Sequence, residues 1–361
     1  MLRSIDEDKG TGIYSRNLIP RLLEVDHETE YVLMYRSPRF VGHFASYPNV
    51  TEIHLNLPTK PLWDQVGVPW LARRYGLDLI FNTKATVPLS TTTRTVMMLH
   101  GSMPFVHPEF FHPLDVAYLR RMMPLYLRKA THVISNSRLT THDFVTLLGV
   151  PCEKVTTIHL AADDQFRPIT DPEALARVRA KYRLPEHFIL SVTKYFPGKN
   201  VPTLIRAYAA LPSSLRRGLV LIGPRVSRYL DEMELRGTAL EREILTPGWV
   251  NQDELPAVYS LAQLFAFPSR YEEFGIPNIE AMSCGCPVVS SNTAGIPEVT
   301  GGAALLVPPL DVEALTDAMT RVLSDGELRC SLRQRGLDRA RDFDWRTTAV
   351  RTAEVFQQVA A

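Results

Sequence analysis

The sequence predicts an α/β protein of two domains, each built around a parallel sheet, and three observations lead there. Short β-rich apolar runs alternate with amphipathic helical stretches from end to end, the pattern of successive βαβ units. The chain has 361 residues, too many for one ordinary core and suited to two domains of about 150–180 residues. Near the middle, the polar connection Leu160-Ala-Ala-Asp-Asp-Gln-Phe-Arg-Pro168 ends in proline and reads as the linker.

The elements follow in order. Met1 to Lys9 is too polar for a central parallel strand, so the first strand is expected to be missing or replaced. Residues 31–35, 79–81, 95–99 and 133–135 read as the strands of the first half. Residues 188–192, 219–222, 264–267, 287–290 and 304–307 do so in the second. Tyr118 to Lys129 is apolar and basic; it suits either an anionic membrane surface or a core helix interrupted near Pro124.

Composition narrows the function. A net charge of +1 lacks the basic excess of a nucleic-acid footprint. No window nears ~18 uninterrupted apolar residues, so no membrane span is expected. Cys284 and Cys286 have no second Cys/His cluster at zinc-like spacing, and read as small buried thiols in a reducing cytosol. Asp6-Glu-Asp8 and Asp342-Phe-Asp344 spell the Asp-x-Asp of metal-dependent transferases, but neither follows an apolar strand, so no metal is expected.

The densest chemistry lies in Pro268-Ser-Arg-Tyr-Glu-Glu-Phe-Gly-Ile-Pro-Asn-Ile-Glu280, between an apolar strand and a helix. Glu272 falls in the loop and Glu280 early in the helix, at the strand end where open α/β sheets bind ligands. Between them, Phe274, Gly275 and Ile276 present backbone N–H groups at a helix N-terminus, suited to phosphate.

Together with the continuation Ala281-Met-Ser-Cys-Gly285-Cys-Pro287-Val-Val289, this run resembles the donor-binding signature of the retaining family 4 glycosyltransferases. The resemblance extends from Gly10 to about Trp345 and implies the GT-B fold, two facing Rossmann-like domains with a deep interdomain cleft. The acceptor-side domain would span residues 1–167 plus a returning helix at 346–361, and the nucleotide-sugar domain residues 168–345. Closure of the cleft would exclude water from the donor.

The same resemblance implies the roles of individual residues. Gly10 and Gly12 match the family's first glycine loop. Lys194 and Lys199 match its two diphosphate-gripping cations, with lysine for arginine at 194, which keeps charge but loses the bidentate fork. Gly223 would line the nucleotide, backbone groups of Val250 would bond the base, and Glu280 would accept from the ribose hydroxyls. Glu272 would face the donor sugar, as would His100, although Gly101 replaces the aspartate that usually follows it. Glu273 stands where the family has glycine, and is expected to face solvent.

The implied activity is retaining transfer of a hexose, with mannose favoured, to a hydroxyl of a glycan or lipid-linked acceptor. GDP-mannose or a UDP-sugar would be the donor, with no cofactor and no nucleic-acid partner. The setting would be cytoplasmic, with peripheral contact at the inner face of the membrane. Alternatives are an epimerase or phosphorylase on the same fold, or an inactive nucleotide-sugar-binding protein.

Overall fold

The structure is a computed structural model that describes Leu2, Ile5 and residues 10–361. The expected absence of a first strand falls mostly on residues 1–9, as does Asp6-Glu-Asp8, and both lie outside the described residues. Leu2 forms an isolated parallel bridge to Tyr35. It and Ile5 are buried in one cluster with Ile19, Leu23 and Leu33.

The chain divides into two compact units, one of residues 1–160 with 344–361, the other of residues 161–343. In the first unit, β1 (Tyr31–Tyr35) pairs with β2 (Val50–His54) in one small parallel sheet. A second sheet takes β3 (Leu79–Asn82), β4 (Arg94–Leu99), β5 (His132–Ser135) and β6 (Val155–Thr157) in sequence order, all parallel. Met34 of β1 and Ile80 of β3 share a core cluster with Trp63 and Leu71.

Gly10 and Gly12 open the helix Gly10–Val25, where the resemblance implied a loop. Tyr14, Leu18, Ile19, Leu22 and Leu23 are buried along one stripe of it, and that helical spacing carries the element back to Gly10. The last helix, Trp345–Ala360, belongs to the same unit. Its Trp345 ring meets Tyr14, and its Phe356 ring lies 4.9 Å from Phe81. The helix Pro113–Lys129 runs uninterrupted through Pro124; it buries Val116, Met123, Tyr126 and Leu127, and exposes Leu114 and Tyr118. No helix among the described residues is long and apolar enough to cross a membrane.

The second unit holds one six-stranded parallel sheet. Its strands are β7 (Ile189–Val192), β8 (Leu219–Ile222), β9 (Ile244–Gly248), β10 (Leu264–Phe267), β11 (Val288–Ser291) and β12 (Ala304–Val307). The spatial order is β12-β11-β10-β7-β8-β9. After β7 the chain winds outward through β8 and β9, then returns to lay β10 on the other side of β7. Connections therefore diverge at the β7–β10 boundary, and such a switch point leaves a crevice beyond the strand C-termini.

Asn200 holds that boundary together. It sits in the left-handed region at φ 55° ahead of the helix Val201–Ala210. Its amide donates to the Pro268 carbonyl at 2.9 Å and to the Pro309 carbonyl, while its side-chain oxygen accepts from Thr203 at 2.8 Å. One buried side chain thus links the loops after β7, β10 and β12.

Asn200→Ala removes these bonds and places a residue poorly suited to left-handed backbone, so a loss of about 2–4 kcal/mol is expected. Asn200→Gly keeps the loss of bonds but relieves the backbone, so its urea midpoint should fall between those of the wild type and Asn200→Ala. Equal midpoints for the two variants would show that the backbone conformation contributes nothing.

Candidate active site

The site is assembled at this switch point. Lys199 closes a 3₁₀ turn after β7, and its Nζ lies 2.6 Å from the Glu272 carboxylate in the loop after β10. The ammonium also sits 4.9 Å from the centre of the Phe267 ring, a cation–π contact at the end of β10. Both side chains are mostly buried. Because the pair is held largely out of water, removing either partner would strand a charge. Lys194 is exposed at the end of β7, its ammonium 5.0 Å from the Phe196 ring. Glu273 is half-buried rather than facing solvent, because its backbone carbonyl packs against Gly295.

Beyond Glu272 the loop turns into the helix Ile276–Ser283, with Gly275 as its N-cap at φ 87°. A Cβ on Gly275 would come to 3.0 Å from the Asn278 amide nitrogen, so glycine is required by both conformation and space. Phe274 is buried edge-on against Phe343, and Ile276 begins the helix, leaving N–H groups at its positive end.

Glu280 lies one turn further in and accepts a hydrogen bond from the Tyr259 hydroxyl at 2.9 Å. Burial pushes its carboxyl up to about 7, the Tyr259 bond pulls the other way, and Asp163 adds repulsion. Tyr259 comes from the helix Leu255–Leu261. Nothing in the sequence pattern singled it out, since a tyrosine on an apolar helix face reads as core.

Gly223 and Val250, which the resemblance implied for the nucleotide, follow β8 and β9. Gly223 follows β8 at φ 137°, and a Cβ there would stand 1.8 Å from the Thr193 carbonyl oxygen, which only glycine permits. Its N–H donates to the Gly248 carbonyl at 2.8 Å. Val250 is buried two residues beyond.

His100, Gly10 and Gly12 belong to the first unit. His100 ends β4, and its Nε2 lies 2.7 Å from the Thr83 carbonyl. A carbonyl only accepts, so Nε2 carries the proton and Nδ1 is the acceptor in the neutral ring. Burial pulls the imidazole down to about 4, with Lys84 adding repulsion, which keeps it neutral near pH 7. The Tyr14 ring packs edge-on at 5.0 Å, and Ser15 donates to the Thr83 hydroxyl at 3.1 Å. The Thr83 carbonyl thereby orients an imidazole that has Gly101 beside it instead of a carboxylate.

Fold and site define a GT-B glycosyltransferase. The family model described as Glycosyl transferases group 1 matches residues 176–339, and that of Glycosyltransferase Family 4 matches residues 9–166. The O-antigen chain mannosyltransferase B of Escherichia coli is 30% identical, over 96% of each chain. A GDP-mannose-dependent alpha-(1-6)-phosphatidylinositol monomannoside mannosyltransferase of Mycolicibacterium smegmatis is 32% identical over 61% of this chain and 60% of its own. Among solved structures, Anabaena Alr3699/HepE in complex with UDP-glucose superposes with a TM-score of 0.78 at 20% identity, covering 98% of this chain and 97% of that one. The chain belongs to glycosyltransferase family 4, and within it resembles the mannosyltransferases.

Glu280 makes stability depend on pH in a defined direction. Its folded value of about 7 exceeds the ordinary 4.5, so the folded chain binds this proton more tightly than the unfolded one. That contribution is intact below about pH 4.5, and falls away as pH rises to about 7. Urea midpoints of Glu280→Gln relative to wild type should therefore improve between pH 5 and about 7.5 and then level off. A difference that does not change with pH would contradict the raised carboxyl.

Proposed function

We propose that the protein is a retaining mannosyltransferase that moves mannose from GDP-mannose to a hydroxyl of a glycan or lipid-linked acceptor. The observation that carries this reading is the Lys199–Glu272 pair at the sheet's switch point, one turn of chain from the Gly275 helix N-terminus. The mannosyltransferase relatives favour mannose, and the printed name of the Mycolicibacterium relative favours the guanine nucleotide.

In the proposed reaction the acceptor oxygen bonds to the anomeric carbon as the carbon–phosphate oxygen bond breaks. The electron pair passes to the diphosphate, and the acceptor's proton follows to a phosphate oxygen, on the same face of the sugar. Front-face attack is preferred because no side chain is assigned as a nucleophile. Lys199, Lys194 and the N–H groups at Phe274, Gly275 and Ile276 would meet the charge growing on the leaving diphosphate. Glu272 would hold Lys199 in place and face the donor sugar, and Glu280 would accept from the ribose. His100 keeps the donor-sugar contact that the resemblance implies. The exposed Leu114 and Tyr118 with Arg120 and Arg121 would rest on anionic headgroups at the cytoplasmic face, beside a lipid-linked acceptor.

Lys199→Ala should lower kcat by about a hundredfold or more while far-ultraviolet circular dichroism stays unchanged; near wild-type turnover would remove the diphosphate assignment. Transfer should persist in saturating EDTA, because fixed cations supply the positive potential, and activity that returns only with added magnesium or manganese would refute this. Glu280→Gln should chiefly raise the donor KM, and Glu272→Gln chiefly lower kcat. The reverse pattern would mean the two carboxylates are exchanged.

A further inference from the structure

The loops after β8 and β9 are tied together by the Gly223 N–H to Gly248 carbonyl bond, and both carry a side chain that the fold does not use. Trp249 is 60% exposed, while Trp63 and Trp345 are buried. The other exposed tryptophan, Trp70, has the Arg74 guanidinium 5.4 Å from its ring centre, whereas no aromatic or cation–π contact is formed by Trp249 among the described residues. Arg225 is exposed and held at φ 58°, a left-handed conformation that non-glycine residues rarely adopt. It has no carboxylate partner among the described residues. Pro224 accepts from the Tyr195 N–H at 3.2 Å, which fixes the Arg225 loop beside the loop bearing Lys194.

A large apolar ring kept in water, on a loop bonded to the one that carries an unpaired, pre-set guanidinium, suits an occupant with a flat π-face and an acceptor-rich edge. Nucleobases stack on indole regardless of sequence. The guanidinium fork discriminates among them: guanine offers two adjacent acceptors, O6 and N7, for two parallel N–H donors. On the corresponding edge adenine sets an amino donor beside N7, so one guanidinium donor faces another donor, and uracil sets C5–H beside O4, so one guanidinium donor is left without an acceptor.

We propose that Trp249 and Arg225 form the base site of the donor and select guanine, with the indole stacked on the purine and the guanidinium bonded to O6 and N7. The proposal rests on the reading of this sheet edge as the nucleotide-sugar site and names its base. Val250 is the next residue after Trp249, so backbone contacts to the base and the side-chain platform would come from one short segment.

The test titrates the full chain with GDP, UDP and ADP, followed by calorimetry and by tryptophan emission. GDP should bind tightest and quench emission, and Trp249→Phe should abolish most of the quench. Arg225→Gly suits the left-handed backbone and so removes the guanidinium without strain. It should weaken GDP about tenfold or more and leave UDP within about twofold. Arg225→Lys should not restore the preference, because a point charge cannot supply the fork. Equal wild-type affinity for GDP and UDP, or equal loss of both in Arg225→Gly, would overturn base selection while leaving the donor reading intact. No binding of any nucleoside diphosphate would overturn the donor reading and the base site together.

Discussion

The ion pair between Lys199 and Glu272 is the interaction on which the second unit's active edge depends. Two charged side chains taken out of water lose hydration, and each here has the other within 2.6 Å to offset that loss. Lys199 supplies the cation, and the end of β10 supplies the aromatic ring beneath it. The two partners come from loops on either side of the β7–β10 boundary, so the pair exists only when those strands are in register. Asn200, the next residue, fixes that register by bonding across to Pro268 and Pro309. Structure and chemistry share the same three loops, and a change that loosens one loosens the other.

The resulting surface is asymmetric in charge and in hydration. Towards β7 and β10 it presents ammonium groups and helix N–H groups, which suit diphosphate oxygens. Towards the helix after β10 it presents Glu280, whose burial makes the proton costly to lose. A ligand hydroxyl that donates to this carboxylate would favour its ionised form, as the Tyr259 hydroxyl already does. Binding of a hydroxyl-bearing ligand and deprotonation of Glu280 would therefore be linked, and the affinity of such a ligand would strengthen as pH rises through the carboxyl's range.

Much of this was legible in the sequence, and the omissions have a common cause. The central strands β4, β5, β7, β8, β10 and β11 stand out because strands buried on both faces become uninterrupted apolar runs. The three strands that periodicity missed, Val50–His54, Val155–Thr157 and Ile244–Gly248, all lie at a sheet edge. An edge strand is half wet, so it tolerates threonine, glutamate, even proline and glycine, and loses its signature. Among site residues, Glu272 and Glu280 stood out at a strand-to-helix junction, whereas Lys194 and Lys199 read as solvated loop lysines except through the family resemblance. Tyr259, Asn200 and Thr83 did not stand out: their roles depend on where a hydroxyl, an amide or a carbonyl points, and no one-dimensional pattern encodes that.

The glycines show why the chemistry sits where it does. At Gly223 a side chain would overlap the Thr193 carbonyl, and at Gly275 it would press on Asn278. Both glycines border the crevice, and both adopt backbone that other residues avoid. Close approach of one loop to the next is what lets adjacent strand ends present their polar groups to a single small ligand. A bulkier residue at Gly223 would push the loop after β8 away from that after β7. The Tyr195 N–H to Pro224 carbonyl bond that joins the loops bearing Lys194 and Arg225 would then lengthen even though neither charged residue had been altered. In this fold the distance between functional groups is set by the smallest residues, and the charged ones act across the gap those residues keep narrow.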